Sequence, residues 1–204
     1  MKTLNCLIAA LLIGFAAIAQ AEVQGSKHDF TSTGSGPITT QTELCSACHV
    51  PHNPKVNVPL WSHELTVKQF ELYNENAEYA GGNSAAYDSS PTNLTGEKSR
   101  LCLSCHDGTV AVVGVTFITD VNRLIGNTAD TLMSSHPVAV NYNTVKTTAP
   151  TKFRDIAADP DVKLDTNGKL QCTTCHNPHN VVPNSKMLSK SNTRSALCVT
   201  CHIK

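Results

Sequence analysis

Apolar residues are unevenly spread along the 204-residue chain, and only one run of them is long. Leu7 to Ile18 is almost entirely apolar, behind the positive start Met1-Lys2 and ahead of the small-x-small triplet Ala19-Gln20-Ala21. That order predicts a secretory signal peptide over residues 1–21, with cleavage before Glu22. The run is too short to span a bilayer comfortably, and no later run is long and apolar enough to predict a membrane span. Cys6 lies too early in the run for a lipidation site and is expected to leave with the signal.

The remainder reads as short pieces. Residues 22–41 are polar and rich in Gly, Ser and Thr, which predicts an extended arm without a core of its own. Leu65, Val67, Phe70, Leu72 and Tyr73 follow a mixed period, so residues 66–73 form a short ordered segment of either type. Residues 74–96 read as a surface loop. Thr109 to Val115 is a run of small apolar residues that reads as buried. Residues 122–135 carry a short helix, followed by His136-Pro137, because the residue before a proline is pushed out of helical geometry. Residues 140–168 read as loop, with a hairpin near Asn167-Gly168-Lys169. Aromatics make up 5% of the chain, with one tryptophan, Trp61, so the chain has little large apolar material for a core.

Four five-residue stretches supply what the pattern lacks. They are Cys45-Ser46-Ala47-Cys48-His49, Cys102-Leu103-Ser104-Cys105-His106, Cys172-Thr173-Thr174-Cys175-His176 and Cys198-Val199-Thr200-Cys201-His202. Each is C-x-x-C-H, the c-type haem attachment pattern. Two thiols one helical turn apart add across the two vinyl groups of one haem, and the adjacent histidine ligates its iron. The motifs take eight of the nine cysteines. The sequence therefore predicts four covalently bound haems, each a large apolar body that the chain buries. With a few tens of residues per motif, the expected fold is mostly loop with short α-helical turns and little β, wrapped around a stack of four haems. The Thr109 to Val115 run fits either a surface lying flat on a porphyrin or an ordinary buried strand or turn.

The motifs come in two repeated pairs within a single domain spanning residues 22–204. Cys45-x-x-Cys48-His49-x-Pro51-His52-Asn53 matches Cys172-x-x-Cys175-His176-x-Pro178-His179-Asn180, and Ser99-Arg100-Leu101-Cys102 matches Ser195-Ala196-Leu197-Cys198. The halves divide at about residues 22–120 and 121–204. A lone histidine, His28 or His136, precedes each half. The proximal ligands are His49, His106, His176 and His202. The repeat offers four distal ligands, His28, His52, His136 and His179, enough to close every iron with two imidazoles. His63 is left over, without a counterpart in the second half, and is a further candidate distal ligand. His52 is too close to His49 to reach the far face of the same haem, so it is expected to serve a neighbouring one, as is His179 beside His176.

Two other uses of paired cysteines fit less well. Zinc needs no histidine after every second cysteine. A disulfide inside every C-x-x-C would be strained and redox-active rather than structural. Lysine plus arginine balance aspartate plus glutamate at 16 each, so no basic surface points to nucleic acid or anionic lipid. Haem propionates would make the assembled protein acidic.

At these residues the chain resembles the multihaem cytochromes with paired C-x-x-C-H motifs from metal-reducing bacteria. The likeness rests on Lys27-His28-Asp29, Cys48-His49-Val50-Pro51-His52-Asn53, Pro59-Leu60-Trp61, the stretch from Leu101 to Ala111, His136-Pro137 and Cys175-His176-Asn177-Pro178-His179-Asn180. Within that family it is most similar to the OmcE type of tetrahaem cytochrome. The resemblance implies extracellular filaments with a continuous line of haems, in which one distal histidine can come from the next subunit. His28 and His63 are the candidates for that donated ligand.

The function expected is electron transfer, through the periplasm or to an extracellular acceptor, with other cytochromes or redox proteins as partners. Irons held by two histidines leave no open site for a substrate. The rival is a multihaem oxidoreductase, or a subunit of one, with one open haem acting on a small oxyanion. A docking subunit of a larger oxidoreductase is the third class.

Overall fold

The computed structural model describes residues 23–31, 43–55, 59–66, 98–108, 124–125, 136–181 and 184–204. The expected signal peptide, the 74–96 loop, the 109–115 run, the division between halves and most of the 66–73 and 122–135 segments lie outside these residues. Four short helices appear among them: α1 (Ser99–His106), α2 (Tyr142–Thr148), α3 (Cys172–Cys175) and α4 (Ala196–Cys201). Two 3-10 turns, Ser185–Met187 and Thr193–Ser195, join α3 to α4. The described residues contain no strand, only isolated antiparallel bridges. The expected loop-rich architecture is what the described residues have, with three of the four helices ending in a haem motif.

The region from Val140 to Gly168, expected as loop, instead holds α2 and the larger apolar core. The Asn141 side chain caps the helix by accepting from the Thr144 amide at 3.1 Å. Tyr142 and Val145, three apart, put two buried side chains on one face. They pack with Val140, Ile156, Val162 and Leu170, and Phe153, Leu164, Leu197 and Cys201 close over them. Burying each such apolar side chain is worth about 1.5–3 kcal/mol. Helix α2 stops at Ala149 because Pro150 follows. The Tyr142 hydroxyl donates to the carbonyls of Arg154 and Cys201, at 2.9 and 3.1 Å, which ties this core to the fourth motif.

The turn at residues 165–169 is present, but its returning arm pairs elsewhere. The Asp165 carboxylate accepts from the amides of Asn167 and Lys169. Gly168 adopts φ +74°, which favours glycine, and a Cβ there would displace the Asn143 side-chain amide, 2.8 Å away. The chain then pairs back on residues 139–142: Leu170 N donates to Val140 O, and Asn141 bridges Lys169.

The segment around His28 is also more ordered than a coreless arm. Ser26 and Asp29 are buried, and Asp29 is 1% exposed. The Asp29 carboxylate accepts from Gly25 N at 2.7 Å, from Thr31 N at 3.1 Å and from the Thr31 hydroxyl at 2.6 Å. These bonds hold the carboxyl below its usual range, against the opposing effect of burial. A short polar segment is here fixed by its own side chain rather than by apolar packing.

Candidate haem sites

Motifs two to four lie on short helices, and motif one is a hydrogen-bonded turn. The amides of His49, His176 and His202 donate to the carbonyls of Cys45, Cys172 and Cys198 at 2.9, 2.9 and 3.0 Å. The turn places the two cysteines three residues apart, on the same side. All eight motif cysteines are free thiols. Burial pushes Cys48 up to about 12 and Cys175 up to about 11. Such apolar surroundings disfavour a thiolate but suit a thioether, which carries no charge.

At three motifs the chain leaves the helical turn in an extended conformation at the histidine, and a second segment clasps it. The bridges are His49 with Trp61, His176 with Leu188 and His202 with Phe153. The first two clasps are copies. Val50 N donates to Leu60 O and Ser62 N to Cys48 O; Asn177 N donates to Met187 O and Ser189 N to Cys175 O. Asn53 and Asn180 both sit at φ 51°, and Leu60 and Met187 at φ 63° and 56°. Asparagine suits that left-handed turn because its short polar side chain can bond locally. This explains the Asn of each C-H-x-P-H-N stretch. Motif two differs: Gly108 at φ +74° follows His106-Asp107 and ends α1.

The clasps prepare the proximal rings. His49 Nδ1 lies 2.7 Å from Pro59 O, and His176 Nδ1 lies 3.0 Å from Lys186 O. A carbonyl can only accept, so Nδ1 carries the proton and Nε2 keeps its lone pair. That is the neutral tautomer a metal needs. The donor set therefore fits a haem iron at both sites.

Three of the four proximal rings face a second imidazole. The centroid separations are 6.0 Å for His28 and His106, 6.1 Å for His49 and His179, and 6.5 Å for His136 and His202. A metal–imidazole bond is about 2.0–2.1 Å, so two rings on opposite faces of one iron stand with centroids about 6 Å apart. Burial, then His106, lower the His28 imidazole to about 4, against the opposing effect of the Pro178 carbonyl, and His176 and His179 lower it further. His202 is lowered by burial and then by His136. Both rings are thereby kept neutral, the form that ligates iron. His52 and His176 are exposed, and His176 is an electrostatic neighbour of His28.

The position of His63 is matched in the second half by a lysine and not by a histidine. The clasp register that pairs Pro59 with Lys186 and Trp61 with Leu188 sets His63 against Lys190. His63 Nε2 is 2.7 Å from the carbonyl of Ala47, inside the first motif, so that nitrogen carries the proton. Lys190 reaches instead to Asp159 at 2.5 Å and to the Thr200 hydroxyl, inside the fourth motif. The signal in the sequence was the pair Leu60-Trp61-Ser62 and Met187-Leu188-Ser189, with only its serine shared.

The motifs lie next to one another in chain order. Cys105 is a close electrostatic neighbour of Cys48, and Cys201 of Cys175. The Cys172 thiol beside it, and then burial, drive Cys102 well up. Trp61 spans motifs one and two: its ring meets His49 edge-on at 5.9 Å, and its Nε1 donates to Ser104 Oγ at 3.1 Å. Arg100 bonds the Thr66 carbonyl across the same junction. Among the described residues no helix is long and apolar enough to cross a membrane.

No curated protein matches the chain. Residues 166–204, which carry motifs three and four, match the model of the family described as the doubled CXXCH motif. That match, on turns whose thiols are free and whose proximal imidazoles are poised for iron, identifies the protein as similar to multihaem c-type cytochromes, with covalently bound haem and a part in electron transfer.

Proposed function

We propose that the protein is an exported tetrahaem electron carrier whose haems follow one another in the order of their motifs. The observation that carries this reading is the set of three proximal–second imidazole pairs at 6.0–6.5 Å. In it His28, His179 and His136 are the distal ligands of the irons held by His106, His49 and His202. Haem supplies the one-electron chemistry. Each chain would supply two imidazoles to three of the irons, and it fixes the tautomer of His49 and His176 through backbone carbonyls and packs successive motifs against each other. Axial ligand identity and burial are the levers that set potential at such sites. Export follows from the signal peptide read over residues 1–21.

The remaining histidines define how copies join. With His28 assigned to His106, His52 and His176 are the two left over, both exposed. In this reading His52 of one copy completes the iron at His176 of the next, and repetition gives a filament with a continuous line of haems. This moves the donated ligand from His28 and His63 to His52, since His28 faces His106 and His63 is bonded to Ala47. Other redox proteins load and unload the ends. Negative-stain microscopy of haem-loaded protein tests it. Filaments are expected from the parent and none from His52→Ala, which should gain one high-spin haem per chain. Unaltered filaments from His52→Ala would refute this junction.

A second reading draws on the same exposed His176. If its iron keeps an open face, the protein is a multihaem oxidoreductase acting on a small oxyanion. Oxyanion-dependent oxidation of the reduced protein, lost together with the high-spin signal on adding cyanide, would favour it.

A further inference from the structure

The two halves meet in a buried polar joint in which a helix-capping residue of one half also bonds the helix start of the other. Gln171 stands just before Cys172, and Ser99 begins α1, three residues before Cys102. Gln171 Oε1 accepts from Ser99 N at 3.2 Å and from Ser99 Oγ at 2.6 Å. Ser99 Oγ accepts in turn from Cys172 N at 3.0 Å. The two residues are 0% and 2% exposed. The glutamine is itself fixed, because its Nε2 donates to Asp165 at 2.9 Å and its N to Thr174 Oγ1 at 2.9 Å.

A local serine or aspartate would cap either helix as well. Here α3 is boxed locally by Gln171 and Thr174, while the first amide of α1 is capped from across the joint by Gln171 and Ser99 Oγ returns an acceptor to Cys172 N. Cys102 and Cys172 are close neighbours at the same junction. A fully satisfied buried network holds geometry more tightly than apolar contact, because any displacement leaves polar atoms unpaired in a dry site.

We propose that the Ser99–Gln171 joint sets the separation and angle between the groups attached at motifs two and three, and so governs the electron step that crosses from one half to the other. The proposal rests on the tetrahaem reading above. Ser99 and Gln171 are positioning residues, acting through Cys102 and Cys172. With haem bound at both motifs, the step would be a one-electron exchange in which one group is oxidised as its neighbour is reduced, with no bond or proton transferred.

The test uses full-length haem-loaded chains of the parent, Ser99→Ala, Gln171→Ala and Ser99→Thr. Pulsed EPR reads the magnetic coupling between haems. Transient absorption after photoreduction by a ruthenium polypyridyl complex reads internal transfer. Both alanine variants are expected to keep four low-spin haems, to change the coupling of one haem pair and to slow one transfer phase several-fold. Ser99→Thr, which keeps the hydroxyl, should recover the parent rate. Parental coupling and rates in both alanine variants, with only thermal stability lowered, would overturn the joint's role. A parent holding fewer than four haems would instead sink the tetrahaem reading, and the joint's role with it.

Discussion

At the scale of single residues, histidines of identical type are sorted by what their second nitrogen meets. His49 and His176 spend Nδ1 on a carbonyl and keep Nε2 for metal; His63 spends Nε2 on Ala47. Alanine at His28, His136 or His179 in the haem-loaded protein should each convert one haem to high spin, visible as new ligand-field absorption and an EPR signal near the high-spin position. Alanine at His63 should leave every haem low-spin and lower only thermal stability, by about 1–2 kcal/mol for the lost hydrogen bond. A high-spin haem in the His63 variant would restore it as a ligand. The sequence made the proximal residues legible because spacing alone dictates their chemistry. It hid the His63–Lys190 equivalence because the clasp is a backbone register, which imposes no side-chain identity.

At the scale of elements, the motif turns are short and are stabilised from outside. The fourth is held by Tyr142, by its bridge through Phe153 and by the Lys190–Asp159 pair. Burial pushes the Asp159 carboxyl up, but the Lys190 ammonium and the amides of Val162 and Asp161 outweigh it and leave it below the ordinary value of 3.8. A group depressed in the folded state stabilises at pH above its unfolded value, and that contribution is lost as pH falls through the folded value. Lys190→Met should therefore shift the acid limb of unfolding to higher pH and cost about 1–3 kcal/mol near neutrality. Acid titrations followed by tryptophan fluorescence and Soret absorbance check this, and an unmoved acid limb would show that the pair contributes nothing. Helix α2 explains why this part of the fold was not legible. Tyr142-Asn143-Thr144-Val145-Lys146-Thr147-Thr148 has three threonines and a valine, weak helix formers, and no long apolar stripe. Its helix depends on the Asn141 cap and on packing against residues distant in sequence, neither of which a local pattern displays.

At the scale of the whole molecule, the described residues do two jobs. One apolar cluster around α2 is an ordinary core, while the remaining segments are tied by caps, clasps and cross-motif hydrogen bonds. Composition announced the second job, since so few aromatics could not build a large core, and it concealed the first. The central claim is that the irons are closed by paired imidazoles. Low-temperature EPR of the fully oxidised, haem-loaded protein tests it most directly, with spins integrated against haem content. The account predicts four haems per chain with only low-spin bis-imidazole signals in the assembled protein. A high-spin signal amounting to one haem per chain in assembled protein would contradict it.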